Sequence, residues 1–203
     1  DPNFEPFLAN PVSTAEAMIQ RNSTVPLQLC HHFAQPMVAR GTGGIVVLGS
    51  GAGFAGAPNM VAYAATKAFD MVVAEALWSE LNGKGVDVLG LILGKTDTPA
   101  LRRLEAELGS TTAADQPLAD AATVDEVVAD AFGNLGNGPT WIVGENMRAA
   151  VQMMGSVSRN ELVNLMAAAS AAAMGTETGR RPTTSVDPVT TGPCGRDDDS
   201  HAR

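Results

Sequence analysis

The chain alternates short apolar runs with longer amphipathic stretches. Gly44-Ile45-Val46-Val47-Leu48 is a β-branched run after Gly41-Thr42-Gly43 and reads as a buried strand. Residues 86–93, VDVLGLIL, read as a second buried strand, and TWIVG at 140–144 as a third. Between them lie helical patterns. Ser13 and Glu16 have capping-box spacing, which opens a long helix over 13–40. Residues 58–82 carry helical periodicity and stop at Asn82-Gly83, where the glycine can take the left-handed cap. A helix over 123–133 follows with Thr123 as its cap, and a last one, mostly Ala, Met and Leu, fits 145–174. The Thr- and Ala-rich stretch after the second strand reads as a loop.

Strands separated by helices of these lengths imply parallel pairing in a helix-covered sheet, an α/β fold. Three strands are in view. A chain of 203 residues with 45% apolar content supports one domain with a real core, placed here at 1–175. From Thr176 the composition turns to Thr, Pro, Gly and Asp. Such a segment cannot bury enough surface to offset its ordering entropy, so 176–203 is expected to be a disordered tail, with Asp197-Asp198-Asp199 as a solubilising patch.

A formal charge of -9 argues against nucleic-acid and anionic-membrane partners, whose phosphates are bound by Lys and Arg. No transmembrane-length apolar run or signal pattern is evident, so a cytoplasmic location is predicted. Cys30 and Cys194 form no disulfide framework, and the adjacent His31 and His32 have no acidic or thiol partner at ligand spacing, so no metal site is predicted. Met153, Met154, Met166 and Met174 are expected to pack the last helix.

Gly51-Ala52-Gly53-Phe54-Ala55-Gly56 spells a dinucleotide-turn pattern after a strand. Ala57-Pro58-Asn59 separates it from the next helix, and the acidic residue at ribose spacing, Asp70, falls mid-helix. The glycines are therefore read as keeping a loop compact beside a site. What the loop connects is more telling: Ser50 ends the first strand, and Tyr63 and Lys67 stand at i and i+4 on one helix face. A free phenol, with a pKa of about 10, is a poor acid-base group at neutral pH, and a neighbouring ammonium favours the phenolate. Ser50 at the sheet's carboxyl edge can hydrogen-bond a substrate oxygen. Pro26 lies four residues after Asn22 and lacks an N-H, so the Asn22 carbonyl loses its helical partner, the helix should kink, and the carbonyl can hold a water.

The run GGIVVLGSGAGFAGAPNMVAYAATKAFDMVVAEALWSELNGKGVDVLGLILGKTDTP resembles the short-chain dehydrogenase/reductase family, with the likeness covering roughly residues 13–145. Asn22, Ser50, Tyr63 and Lys67 match the family's tetrad. The resemblance implies hydride transfer between a nicotinamide cofactor, NAD or NADP, and a small-molecule carbonyl or secondary alcohol. Tyr63 would be the acid/base and would also contact the cofactor, Lys67 would lower the Tyr63 pKa and hold the nicotinamide ribose, Ser50 would orient the substrate oxygen, and Asn22 would support a water relay. Gly94-Lys95-Thr96-Asp97-Thr98-Pro99 resembles the family's P-G-x-V-x-T segment, which implies cofactor contacts at Gly94, the Thr96 backbone and the Thr98 hydroxyl. Leu93 and Thr96 depart from the usual Pro and Val. Leu101 to Asp120 corresponds to the family's substrate lid. The helices at 13–40 and 58–82 correspond to its usual subunit interface and imply a homodimer or homotetramer.

The family's cofactor turn, T-G-x-x-x-G-x-G, and its N-A-G segment have no counterpart in the sequence. The expected architecture is a partial doubly wound, Rossmann-like parallel sheet, equivalent to the last three of seven strands. The chain is accordingly read as the catalytic part of a longer reductase that alone binds nicotinamide cofactor weakly or not at all. The alternative is a non-catalytic interaction or oligomerisation module of the same descent.

Overall fold

A computed structural model describes residues 5–107 and 116–174. The tail over 176–203 and part of the lid segment therefore lie outside the described residues. In chain order the regular elements are α1 (Val12–Ile19), α2 (Val25–Arg40), β1 (Gly43–Ser50), α3 (Val61–Leu81), β2 (Val86–Leu93), β3 (Thr96–Asp97), α4 (Pro99–Glu107), β4 (Ala122–Thr123), α5 (Val124–Gly133), β5 (Thr140–Ile142), α6 (Glu145–Met154) and α7 (Arg159–Met174).

The main sheet has the order β1-β2-β5, and both of its pairings are parallel. Side-chain alternation sends the two faces of each strand to different cores. Ile45, Val47, Val86 and Val88 pack with Cys30, Ala34, Ala74, Leu77 and Leu81 of α2 and α3. Val46, Leu89, Leu91 and Leu93 pack with Val127 and Ala131 of α5, together with Val143. Helices thus cover both faces, as a doubly wound α/β sheet requires. Val86, Val88, Leu89 and Leu91 are fully buried, which explains why β2 reads as an unbroken apolar run.

The helix expected over 13–40 divides into α1, a π-helical turn over Gln20–Thr24, and α2. Pro26 cannot donate to Asn22, and the ladder shifts so that the Val25 N-H bonds the Gln20 carbonyl. The capping box at Ser13 and Glu16 does not form. The helix starts at Val12 behind Pro11, whose carbonyl accepts from the Thr14 amide at 3.0 Å, so Ser13 already lies inside the first turn. After α3 the left-handed residue is Gly85 (φ 76°) and not Gly83, which sits in a 3-10 turn over Asn82–Lys84. A Cβ at Gly85 would lie 2.1 Å from the Gly41 carbonyl oxygen, so the close approach of the α2 end also demands glycine there.

The expected final helix is two. α6 stops at Met154, and α7 begins behind Ser158, whose amide and hydroxyl both donate to the Glu161 carboxylate. Thr123 caps α5 as expected, in a full capping box with Glu126.

The stretch read as a loop after β2 holds α4 and a short parallel pair, β3 with β4. Thr98 accepts from the Leu101 amide at 3.2 Å, and Pro99 occupies the first helical position. Arg102 of α4 grips the buried Asp97 through two bonds of 2.6 Å, fastening the helix to the pair. The guanidinium holds the Asp97 carboxyl below the usual carboxylate range. A depressed folded-state value means that the pair stabilises the fold above the ordinary aspartate pKa of about 3.9, and that this contribution is lost as pH falls through the lowered folded value. Asp97→Asn should therefore be less stable than wild type at neutral pH and lose less further stability on acidification, as read by urea unfolding at several pH values. Parallel acid profiles for the two proteins would contradict this role.

Candidate active site

The geometry of the site begins at the end of β1. Ser50 is half-buried, and its Oγ accepts from the Ala52 amide at 3.2 Å. The hydroxyl hydrogen is left to donate elsewhere. The glycine-rich stretch then forms a 3-10 turn over Gly51–Gly53 that packs on α3. A Cβ at Gly53 would sit 2.7 Å from the Lys67 carbonyl carbon, so the missing side chain lets the loop lie directly on the helix backbone. These glycines serve helix-loop contact, in keeping with the compact-loop reading.

Tyr63 and Lys67 lie in the first turns of α3, and both are half-buried. Asn22, in the π-helical turn, donates to the Thr66 hydroxyl at 3.2 Å, and Thr66 in turn donates to the Tyr63 carbonyl at 2.8 Å. The turn caused by Pro26 is thereby fastened to the α3 turn that carries Tyr63. Lys67 Nζ donates to the Leu48 carbonyl at 2.9 Å, two residues before Ser50, and to Asp70 Oδ2 at 3.0 Å. Asn22 is thus tied to the α3 turn of Tyr63 through Thr66, and Lys67 to the β1 strand that ends at Ser50.

Asp70 went unassigned in the sequence because only the fold reveals that its residue is 3% exposed. Burial pushes its carboxyl up, against the opposing hydrogen bond and charge of Lys67. The one available signal was the i,i+3 spacing of Lys67 and Asp70.

The loop after β2 begins level with Ser50, since Ser50 pairs with Leu93. Gly94 is exposed, and a side chain there would meet only Met147, at 3.6 Å or beyond. Ala122 donates to the Lys95 carbonyl at 3.0 Å across the β3-β4 pair. Strand alternation then turns the Thr96 amide and carbonyl to the opposite side of β3. The Thr98 hydroxyl accepts from α4 and keeps its hydrogen for another partner. Leu93, in place of the expected proline, packs into the α5 core. Lys95 is drawn away to Glu105 (2.6 Å) and Asp120 (3.1 Å), which hold its ammonium pKa above the usual lysine range. Gly94, Thr96 and Thr98 thus lie on a loop that starts level with the end of β1.

Beside Tyr63 a cleft is lined by Phe7, Met18, Met60 and Asn10. The loop forming its wall is held by α7: Ser170, buried, donates to the Pro58 carbonyl at 3.2 Å, and Arg159 donates to the Phe54 carbonyl. Neither contact was legible in the sequence.

The family model for short chain dehydrogenase matches residues 2–109. Over 149 residues the chain is 30% identical to a 7β-hydroxysteroid dehydrogenase of Clostridium sardiniense, covering 73% of this chain and 54% of the relative. It is 32% identical to the Collinsella aerofaciens 7β-hydroxysteroid dehydrogenase, covering 73% and 56%. The chain spans about half the length of these curated relatives. A solved 7β-hydroxysteroid dehydrogenase structure superposes with a TM-score of 0.69 at 29% identity, over 80% of this chain and 61% of that one. Together with the parallel helix-covered sheet, these matches place the chain in the short-chain dehydrogenase family.

Proposed function

We propose that Ser50, Tyr63, Lys67 and Asn22 form the proton-handling site of a nicotinamide-dependent oxidoreductase that interconverts a carbonyl and a secondary alcohol. The observation that carries this reading is the single β1-α3-β2 unit. It sets Ser50 at the strand end, Tyr63 and Lys67 one turn apart on the following helix, and the Gly94–Thr98 loop level with Ser50.

Tyr63, Lys67, Gly94, Thr96 and Thr98 would hold NAD or NADP, which would supply or accept a hydride when bound. Tyr63 gives its phenolic proton to the substrate oxygen in reduction and takes it back in oxidation. Lys67 stands one turn further along α3 from Tyr63. Ser50 donates its remaining hydroxyl hydrogen to the substrate oxygen and orients it. Asn22, in the π-helical turn, supports the water route by which the proton is replaced. The names of the relatives point to a steroid nucleus oxidised at carbon 7 as the substrate class.

In the full-length protein that carries this chain, Tyr63→Phe should lower turnover of a 7-oxosteroid with reduced cofactor by about 10²–10⁴-fold while leaving the circular dichroism spectrum unchanged. Undiminished turnover in the folded variant would contradict the assignment.

Association of copies is supported by the outward face of α3. Ala65, Phe69, Val72 and Ala76 recur there at helical spacing and are all exposed, with Val72 at 62%. We infer a homodimer through this face, as the basis of either the enzyme or the interaction-module reading. The two part at Tyr63→Phe, which under the second reading leaves the biological effect intact. Val72→Asp should convert the dimer to a monomer in light scattering coupled to size-exclusion chromatography; an unchanged mass would place the interface elsewhere.

A further inference from the structure

Two glycines lie abreast at the carboxyl end of the sheet. Ser50 is registered with Leu93, so the residues that follow them, Gly51 after β1 and Gly94 after β2, leave the paired strands at the same level. Both meet one side chain, that of Met147. A Cβ at Gly51 would collide with the Met147 methyl and sit 3.2 Å from its sulfur, and a Cβ at Gly94 would lie 3.6 Å from the same sulfur. The thioether therefore lies across the two strand ends, against the residue that follows Ser50. In an open α/β sheet, the crevice beyond the carboxyl ends of the strands is where small molecules bind.

Met147 reaches this place through the local chemistry at the start of α6. After β5 the chain turns at Gly144, whose φ of 81° favours a residue without a Cβ. α6 follows at once, and the Gly144 carbonyl accepts from the Arg148 amide at 3.1 Å. The Arg148 guanidinium donates to the Ile142 carbonyl at 2.9 Å and lies 6.0 Å from the centre of the Trp141 ring. Arg148 thus fastens the first turn of α6 to β5, and no residue of α6 is buried. Met147 is half-buried and lines a cleft of about 830 Å³ between the loop after β2, Val143 and α6. Lys95, Asp120, Glu126 and Arg148 also line it, but they are engaged with one another, with Thr123 or with backbone.

We infer that Met147 is a specificity-determining residue of the proposed reaction, forming the apolar wall against which a fused-ring ketone packs beside Ser50. The inference rests on the proposed function for the nature of the reaction, whereas the placement of Met147 at the strand ends does not depend on it. An unbranched, polarisable side chain moulds itself to a flat ring skeleton. Its length sets the depth of the crevice. A shorter residue leaves the rings without contact, a bulkier one takes their place, and a ketone with one small ring reaches Ser50 in both cases.

The test compares a 7-oxosteroid with cyclohexanone as substrates of the full-length protein that carries this chain. Met147→Trp should lower kcat/KM for the steroid by about tenfold or more and leave that for cyclohexanone within about twofold of wild type. Met147→Ala should raise KM for the steroid more than it lowers kcat, and the volume-conserving Met147→Leu should keep the wild-type ratio between the two substrates. A wild-type ratio in a folded Met147→Trp or Met147→Ala would overturn the inference. A second measurement needs no turnover. With methionine isotopically labelled at its methyl group, the nuclear magnetic resonance signal of Met147 is identified by its absence in Met147→Leu. On titration with the 7-oxosteroid it should move further than the signals of Met153 and Met154, and an unmoved Met147 signal would equally overturn the inference. Should the wild-type protein reduce neither ketone, the proposed reaction fails, while the methyl signal still decides the role of Met147.

Discussion

The structure depends on the eight-residue parallel pairing of β1 with β2, from Gly43 against Val86 to Ser50 against Leu93. Parallel neighbours need a long crossover, and α3 is that crossover. Because α3 must return over the sheet, its first turns lie beside the end of β1, which brings Lys67 to Leu48, two residues before Ser50. The same register starts the Gly94–Thr98 loop level with Ser50. Displacing β2 by one residue would send Leu89 and Leu91 to the α3 face and break both cores together. The site is thus a consequence of how the strands pair, and the glycine at position 53 only lets the connecting loop lie close to α3.

Where the local pattern and the tertiary environment agree, the sequence was legible. β2 is bounded by Gly85 and Gly94 and buried on both faces, so its apolar run marks it residue by residue. Thr123 and Glu126 complete a capping box that any reading of the chain would find. The missing N-H of Pro26 located the irregular helix at Asn22, although the sequence suggested a kink and the backbone answers with a π-helical turn. By contrast, Ser13 and Glu16 have capping spacing but lose to Pro11, whose extended backbone starts the helix earlier. α4 was hidden in a charged, Ala-rich stretch, though Thr98-Pro99 carried a helix-start signal. The break between α6 and α7 was masked by uniform apolar composition.

Of the site, the residue types and spacings of Asn22, Ser50, Tyr63 and Lys67 were visible, but their connections were not. The bond from Asn22 to Thr66, the grip of Lys67 on Leu48, and the burial of Asp70 all require the helices to be packed. Charged residues show the contrast well. Asp97 is buried, yet its carboxylate is satisfied by a two-pronged guanidinium and stays easily ionised. Asp70 has a single ammonium for a partner, and desolvation pushes its carboxyl up. The Asp97 pair is a structural clamp for the loop after β2, while the Asp70 pair holds a group at the heart of the candidate site.

The open edge of β1 ties these observations together. Leu48 is 53% exposed, and the groove beside it is lined by Leu29, Phe33 and Met37 as well as Lys67 and Asp70. An apolar edge of this kind is stable in a soluble protein when another strand covers it. The central claim, that the end of β1 and the first turn of α3 carry out carbonyl reduction with Tyr63 as the proton donor, is tested most directly by isotope transfer. The full-length protein would be given reduced cofactor deuterated at the transferred position and a ketone substrate, and the alcohol analysed by mass spectrometry. The account predicts one deuterium at the carbinol carbon with the wild-type protein and a product yield that collapses in Tyr63→Phe. Deuterated alcohol formed equally well by both proteins would contradict it.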